Sequence, residues 1–509
     1  MSDSENIAAN GQDNLNPRDL KKESLDKDLN KIVQVQAVAS SLQRRLLAPG
    51  LGLMFLTLAG AFASLQAGAQ PNAVFIMVAA ILGGYMALNI GANDVANNVG
   101  PAVGSKALTM TGALIIAAIF ESAGALLAGG DVVSTISKGI IDPSLVQDDM
   151  VFVWAMMAAL LSSALWVNLA TFIGAPVSTT HSVVGGVMGA GIAAVGFQTV
   201  NWETMSKIAA SWVISPLLGG IIAALFLAFI KTYIIYRDDK IAAAKRWVPI
   251  LIAVMAGAFS CYLAMKGLKK IIHVDSLTII SIGATVFVVS WLVLHPVIAR
   301  QAHGLENRNQ SLRQLFHIPL ICSAALLSFA HGANDVANAI GPLAAILHAL
   351  QSGEIAAKVA IPSWVMLIGA LGISLGLFLY GPRLIRMVGE QITKMNPMRA
   401  YCVALSAAIT VIVASALGLP VSSTHIAVGG VFGVGFFREY YTRNSKRRQR
   451  YVRKYPSQPD KPASENDIRR RKLVRRAHFT TIVAAWVITV PAAALLSAVL
   501  YYAMAYSLG

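Results

Sequence analysis

Two short motifs, one in each half of the chain, place a carboxylate inside strongly apolar sequence. Residues 91–101 are GANDVANNVGP and residues 332–342 are GANDVANAIGP, which makes nine identities in eleven positions. An ionised carboxylate in apolar surroundings is costly unless it meets a cation or lines water. A helix cap is the plain structural alternative for each acid. Because the motif is duplicated, we favour a functional role for both Asp94 and Asp335.

An amide follows each of these carboxylates at helical spacing. Asn97 and Asn338 lie three positions after the two acids, so a helix would place amide and carboxylate on one face. A break in the helix at the motif would free backbone carbonyls as further oxygen ligands. Such a set of oxygens suits a hard monovalent cation. The predicted ligands, for Na⁺ if the coupling ion is sodium, are Asp94, Asn97, Asp335 and Asn338.

A second repeated motif carries hydroxyl groups. Residues 176–181 are PVSTTH and residues 420–425 are PVSSTH. Hydroxyls at a helix start lie beside free backbone N–H groups at the positive end of the helix dipole, which is an arrangement suited to an anion. One hydroxyl would be enough for plain N-capping, whereas each copy has three. The predicted anion ligands are Ser178, Thr179, Thr180, Ser422, Ser423 and Thr424, together with Asp94 and Asp335. Because the motifs contain no Arg or Lys, a multiply charged anion would need a co-bound cation.

Several other polar residues near the motifs have two interpretations. His181 and His425 close the two copies of the second motif. Each could carry a proton or could contact the backbone at the start of a helix. Glu121 is a lone acid in an apolar run, and a bundle contact and a role in ion coupling are both open. His331 precedes only the second GAND motif, which favours simple packing. Asn98 carries less weight, because an alanine occupies the equivalent position in the second copy.

The composition determines which elements can position these residues. Of 509 residues, 56% are hydrophobic and 13% are charged, and the mean hydropathy is +0.62. A soluble domain is nearer to a quarter charged, so much of this surface must face lipid, which argues against a water-soluble enzyme. Thirteen apolar stretches are long enough to cross a bilayer. They predict an all-α polytopic membrane protein with about 12–13 transmembrane helices, and an apolar stretch at 339–350 must then be non-spanning.

The order of the motifs predicts two copies of one bundle. The first motifs are 241 positions apart and the second motifs 244. An odd number of spans separates the two GAND segments, so the copies enter the membrane from opposite sides. Inverted-topology repeats are the architecture of many secondary transporters, because the two halves can exchange roles between outward-open and inward-open states. We place the first transport repeat at 71–236, linking spans at 237–313 and the second repeat at 314–509.

The charge distribution predicts the topology. The net charge is +16, and residues 438–476 alone hold 15 Lys and Arg against 4 acids. With a cytoplasmic N-terminus, this connection and those at 237–246, 300–313 and 381–399 all lie inside, as the positive-inside rule requires. Nucleic-acid binding is therefore not expected. Three lysines at 266–270 fall outside and break the rule.

The N-terminal region differs in composition from the rest. Residues 1–48 are polar for most of their length, which predicts a disordered cytoplasmic tail. Residues 49–70 predict an additional transmembrane helix before the first repeat. No apolar signal-peptide segment begins near residue 1.

The two pairs of motifs resemble the signature of the inorganic phosphate transporter (PiT) family, the phosphate permeases. The resemblance covers roughly residues 72–506, with four motif copies in the matching order. It implies symport of inorganic phosphate with Na⁺ or H⁺, without a cofactor, in an integral multi-pass protein of the cell (inner) membrane. It also implies that the motif residues named above bind phosphate and the coupling cation. A homodimer is left open.

Three alternatives remain at this stage. A sulfate permease of the same fold would carry the same motifs. An integral membrane phosphatase would need a nucleophile and a general acid in one wet cluster, and the motifs offer no Cys, Arg clamp or metal triad. An anion channel would more often use rings of Arg or Lys. The two carboxylates favour co-transport.

Overall fold

The computed structural model describes residues 46–68, 70–146, 148–175, 177–267, 275–352, 361–387, 395–454 and 476–508. Three predictions fall wholly or partly elsewhere. Almost all of the predicted tail at 1–48 lies outside the described residues. The same holds for positions 455–475 of the basic connection and for Lys269 and Lys270.

The described chain is almost entirely helical, in agreement with the predicted class. In chain order the helices are α1 Leu46–Ala67, α2 Ala73–Gly104, α3 Met110–Ala128, α4 Gly130–Lys138, α5 Asp149–Ile173, α6 Thr179–Val195, α7 Trp202–Ile230, α8 Lys240–Lys266, α9 Ser276–Gln301, α10 Asn309–Leu315, α11 His317–Ser352, α12 Ser363–Met387, α13 Pro397–Ala416, α14 Ser423–Asn444, α15 Lys446–Lys454 and α16 Arg476–Leu508. A π-helical turn, Lys231–Ile235, extends α7.

Each of the thirteen predicted apolar stretches coincides with a helix. Within the described residues, eleven of these helices are long and apolar enough to span a membrane. The other two are α6, with 17 residues, and α14, whose C-terminal half is polar. They are the second arms of two helical hairpins, α5–α6 and α13–α14. The protein is therefore an integral, multi-pass membrane protein.

The hairpin α5–α6 starts and ends at the same place. The backbone N–H of Asn201, after α6, donates to the carbonyl of Ile140, before α5, at 2.9 Å. Its turn begins with Gly174, at φ +79°, and the α13–α14 turn begins with Gly418, at φ +68°. Glycine is favoured at both positions because left-handed backbone is strained for other residues. The two arms are thus antiparallel: α5 runs away from this point and α6 returns to it.

The expected helix breaks at the GAND motifs are absent. α2 runs without interruption through Asp94, and α11 does so through Asp335. The apolar stretch 339–350, predicted to be non-spanning, is the second half of α11 and forms no separate element. Gly, Asn and Asp have low helix propensity, but burial of both helices on nearly every side overrides that local preference.

Small residues allow the motif helices to touch their neighbours backbone to backbone. A Cβ on Gly332 of α11 would lie 2.0 Å from the carbonyl oxygen of Glu121 in α3. A Cβ on Gly91 of α2 would lie 1.9 Å from that of Ile373 in α12. Both distances are far inside van der Waals contact, so any larger residue would push the helices apart. The glycines of the motif fix the depth and rotation of the two Asp-bearing helices.

The basic connections meet at one end of the helix bundle. Lys454 lies 3.0 Å from Asp238, and the backbone N–H of Lys240 donates to Asn307. The predicted loop at 438–476 is helical in its first part, because α14 continues to Asn444 and α15 follows. Lys266, which breaks the charge rule, lies at the other end and pairs with Asp131 at 2.6 Å. That local carboxylate compensates its charge.

Candidate functional site

The first Asn of each GAND motif holds the turn of one hairpin. Asn93 donates to Thr171 at 2.9 Å and accepts from the backbone N–H of Val177 at 3.3 Å. Asn334 makes the equivalent contacts, to Ser415 at 2.9 Å and from Val421 at 3.3 Å. The motifs alone predicted no separate role for these two asparagines. Their presence in both motif copies was the available signal.

The serines that open the second motif are helix caps. Ser178 Oγ accepts the backbone N–H of His181 at 3.1 Å, and Ser422 Oγ accepts that of His425 at 3.3 Å. This geometry matches the structural alternative for one hydroxyl in each motif. A direct role of these two serines in anion binding stays a prediction.

The threonines that close each Ser/Thr run reach the other half of the chain. Asn97 of α2 donates to Thr424 Oγ1 of α14 at 2.8 Å. Asn338 of α11 donates to Thr180 Oγ1 of α6 at 3.1 Å. All four side chains are buried. Each hairpin therefore joins the GAND helix of the opposite half, which brings the sequence-predicted residues of all four motifs into one cluster.

The two carboxylates lie at the centre of this cluster and share one hydroxyl. Thr179 Oγ1 is 2.9 Å from Asp94 Oδ2 and 3.1 Å from Asp335 Oδ2. A hydroxyl has one proton and can donate to only one of the two oxygens. Both acids are 1% exposed, so neither is neutralised by bulk water. Two buried carboxylates at this spacing repel one another unless a positive charge joins them.

A histidine for which the sequence favoured simple packing lies against both acids. His331 Nε2 lies 3.3 Å from Asp335 Oδ2 and 3.7 Å from Asp94 Oδ2. Its Nδ1 lies 3.3 Å from Glu121 Oε1, which also accepts from Asn98 Nδ2 at 2.8 Å. The packing interpretation was wrong because helical spacing, four residues before Asp335, places the imidazole against the carboxylate. Asn98, given less weight, orients Glu121.

The two histidines of the second motif lie next to each other. The ring centroids of His181 and His425 are 4.3 Å apart, and His181 packs at 3.8 Å on Trp212. The Trp212 indole donates to the carbonyl of Pro420 in the opposite hairpin turn. These contacts join the two hairpin tips.

The geometry fits a cation between the two acids. One ligand atom each from Asp94, His331 and Asp335 lie within 4.8 Å of one another, and the hydroxyl oxygens of Thr179 and Thr424 are in contact with the same carboxylates. The possible donors are mostly hard oxygens. The carbonyls expected from a helix break are not available, since both helices are continuous. Side-chain oxygens must supply the coordination.

The sequence is similar to that of a phosphate transporter family and of proteins named as phosphate permeases. A model of the phosphate transporter family matches residues 90–497. A protein of Helicobacter pylori named "Putative phosphate permease" is 45% identical, over 94% of this chain and 99% of its own length. A Pyrococcus abyssi protein of similar name is 35% identical, over 84% of this chain and 97% of its own.

A solved structure shares the fold. It is titled "The sodium-dependent phosphate transporter", and it aligns with a TM-score of 0.76 and 34% identity, over 85% of this chain and all of its own. The family and this structure are transporters and not enzymes, which removes the phosphatase alternative. The chain belongs to the phosphate transporter family.

Proposed function

We propose that this protein imports inorganic phosphate by symport with a cation bound between Asp94 and Asp335, and that the cation is Na⁺. The observation that carries the proposal is the hydroxyl of Thr179, shared by two buried carboxylates. A cation between these oxygens would offset part of their negative charge and leave the hydroxyl free to turn toward an anion. The likeness to a sodium-dependent phosphate transporter supports Na⁺ over H⁺.

Phosphate would bind beside that cation, at the two hairpin tips. Ser423 Oγ is buried and has no hydrogen-bond partner among the described residues, so it is available as a donor. Thr179 would join it once a cation holds the carboxylates, and Thr180 and Thr424 complete the hydroxyl set. Phosphate needs an acceptor for its proton as well as donors, and Asp94 or Asp335 can serve. Without a co-bound cation, the same carboxylates would repel the anion.

Alternating access would exchange the roles of the two hairpins. Thr179 of the first hairpin lies between the two acids, whereas the hydroxyl of its counterpart Ser423, in the second hairpin, forms a hydrogen bond with neither. In an inverted repeat, the opposite state is obtained by swapping the two halves. We therefore expect Ser423 to lie between the carboxylates in that state, while Thr179 is released. This exchange makes cation binding common to both states.

Uptake of phosphate into proteoliposomes tests coupling. We expect an imposed inward Na⁺ gradient to drive accumulation, and a pH gradient of the same size without Na⁺ to drive little. Protein-free liposomes and the Asp94→Asn variant serve as controls. Accumulation driven by pH alone would replace Na⁺ with H⁺ as the coupling ion, and uptake indifferent to both gradients would contradict symport.

Competition tests the substrate. Arsenate shares the shape and protonation of phosphate, whereas sulfate at neutral pH carries no proton for the carboxylates to accept. An unpaired buried acceptor costs about 1–3 kcal/mol, which corresponds to roughly tenfold to hundredfold in affinity. We expect arsenate to compete at least about tenfold better than sulfate. Equal competition would favour the sulfate permease alternative.

A further inference from the structure

A cluster of buried and half-buried cations lies outside the transport site, at the end of the bundle where the basic connections meet. Lys231, in the π-helical turn after α7, is only 7% exposed although it carries a charge. Its Nζ lies 4.4 Å from the ring centroid of Tyr441 and 5.5 Å from that of Phe437, both in α14. Lysine is rarely buried unless it is paired.

The charged groups that act on Lys231 are all cations. Arg399, Arg438 and Arg448 all lie within electrostatic reach of its ammonium group and repel it. Arg399 is repelled in turn by Arg438 and Arg313. Within the described part of the chain, none of the four cations Lys231, Arg399, Arg438 and Arg448 forms an ion pair with a carboxylate. We call these four residues the basic cluster.

The basic cluster is held in place by fixed contacts. Arg399 Nε donates to Asn396 Oδ1 at 3.0 Å, and Arg448 Nη1 donates to the carbonyl of Thr442 at 3.1 Å. Tyr236 stacks on Tyr441, with ring centroids 5.8 Å apart. Burial raises the pKa of Tyr236, so its phenol stays neutral and offers no compensating charge. Like charges are therefore brought together by packing, which costs free energy unless an anion joins them.

A hollow lies next to these residues. A pocket of about 340 Å³ is lined by residues that include Lys106, Arg313 and Asn396, the residue that holds Arg399. The pocket thus brings Lys106 and Arg313 to the same hollow as Asn396, the partner of Arg399. Its size is sufficient for a phosphate group.

We propose that the basic cluster is a second anion site that binds a phosphate group, separate from the transport site. Guanidinium groups suit phosphate because their planar donors match its oxygens in pairs. The phosphate group could belong to an acidic phospholipid or be inorganic phosphate itself. Tyrosine and tryptophan beside cations are typical of the headgroup level of a membrane, and Tyr233 and Trp247 pack 5.4 Å apart near the same turn.

Variants of the purified full-length transporter test this site. Arg448→Gln and Lys231→Met remove charge while keeping side-chain length. Arg450→Gln is the matched control, because Arg450 is exposed on the same helix, α15. The measurements are thermal unfolding in detergent and retention of lipid in native mass spectrometry, with added phosphatidylglycerol, phosphatidylcholine or inorganic phosphate.

The lipid and the free ion predict different results. A lipid site requires that phosphatidylglycerol raise the unfolding temperature more than phosphatidylcholine does, and that each cluster variant bind it about fivefold more weakly. A free-phosphate site requires that inorganic phosphate stabilise the wild type more than the cluster variants, also on an Asp94→Asn background. The control should behave as wild type in both cases. Equal responses of wild type and both cluster variants, or an equal loss in Arg450→Gln, would overturn the proposal.

Discussion

The two halves of the molecule agree in the contacts that hold the hairpins and differ in the contacts around the acids. Asn93 and Asn334 make the same hydrogen bonds at equivalent positions, and Asn97 and Asn338 each reach a threonine of the opposite half. These equivalent contacts attach the two hairpins to the GAND helices. They give the two hairpins similar geometry.

The differences are concentrated beside the carboxylates. At the positions equivalent to Asn98, Glu121 and His331, the other half has Ala339, Ile373 and Ile90. Gly332 packs on the carbonyl of Glu121 as Gly91 packs on that of Ile373, which confirms that these two residues are equivalent. The polar cluster is therefore formed by Asn98 and Glu121 of the first half with His331 of the second, and the equivalent place formed by the exchanged halves holds hydrocarbon. Both halves adopt the same helix packing with or without these polar residues. We therefore attribute the asymmetry to the chemistry of transport.

The largest expected effect comes from the feature that is equal in both halves. Asp94→Asn and Asp335→Asn should each lower Na⁺-driven phosphate uptake by at least about a hundredfold, because the amide keeps the shape but removes the counter-charge of the cation. Surface expression and thermal unfolding check that the variants insert and fold. Near-normal uptake by either folded variant would disprove the cation site.

A smaller effect is expected where the halves differ. Glu121→Gln retains an acceptor for Asn98 but removes the charge that faces His331, so that His331 is less well positioned against Asp335. We expect roughly tenfold to hundredfold slower uptake, since a hydrogen bond to a charged group is worth about 1.5–3 kcal/mol. The matched control is Ile373→Leu, at the equivalent position.

The two variants separate a local role from general packing. If Glu121 acts through His331, Glu121→Gln should change the maximal rate or the Na⁺ dependence, while Ile373→Leu leaves both near wild type. Equal losses in the two variants, with the same drop in unfolding temperature, would show that Glu121 is only a packing residue.

Matched scaffold residues should give matched losses. Asn93→Ala and Asn334→Ala each remove the contacts of one hairpin turn, including a bond to a buried backbone N–H. We expect a loss of about 1–3 kcal/mol in the free energy of unfolding for each, measured by thermal or denaturant unfolding in detergent. If the losses of the two variants differ by more than about 2 kcal/mol, the two halves are equivalent in geometry but not in stability.

The smallest expected effect concerns the two central hydroxyls. Thr179→Ala should lower the stability of this state by about 1 kcal/mol, because Thr179 contacts both carboxylates. Ser423→Ala should leave stability within about 0.5 kcal/mol of wild type but still slow uptake, if Ser423 acts in the opposite state. Unfolding and uptake measured on both variants give the comparison. Loss of stability without slower uptake in Ser423→Ala would contradict the exchange of roles.

Much of the candidate site could be predicted because repetition is visible in sequence. Asp94, Asp335, Asn97, Asn338 and the hydroxyl residues were all identified from two motifs in each half, and the structure brings them together. His331 and Glu121 were not resolved, because each occurs once and a single buried polar residue in an apolar run is ambiguous. Their meeting depends on the packing of α3 against α11, and no local pattern specifies that packing.

The sequence by itself determined the class of protein, the helical stretches and the residues of the motifs. Charge depletion requires a lipid-facing surface, and hydrocarbon requires that every backbone group be satisfied within a helix. The tertiary structure decided that α2 and α11 pass through the GAND motifs unbroken, and that each hairpin crosses to the opposite half. Local propensity favours a break at Gly-Ala-Asn-Asp, but burial of both helices outweighs it. Long-range contacts set which hydroxyl lies between the acids, because they join positions more than 80 residues apart.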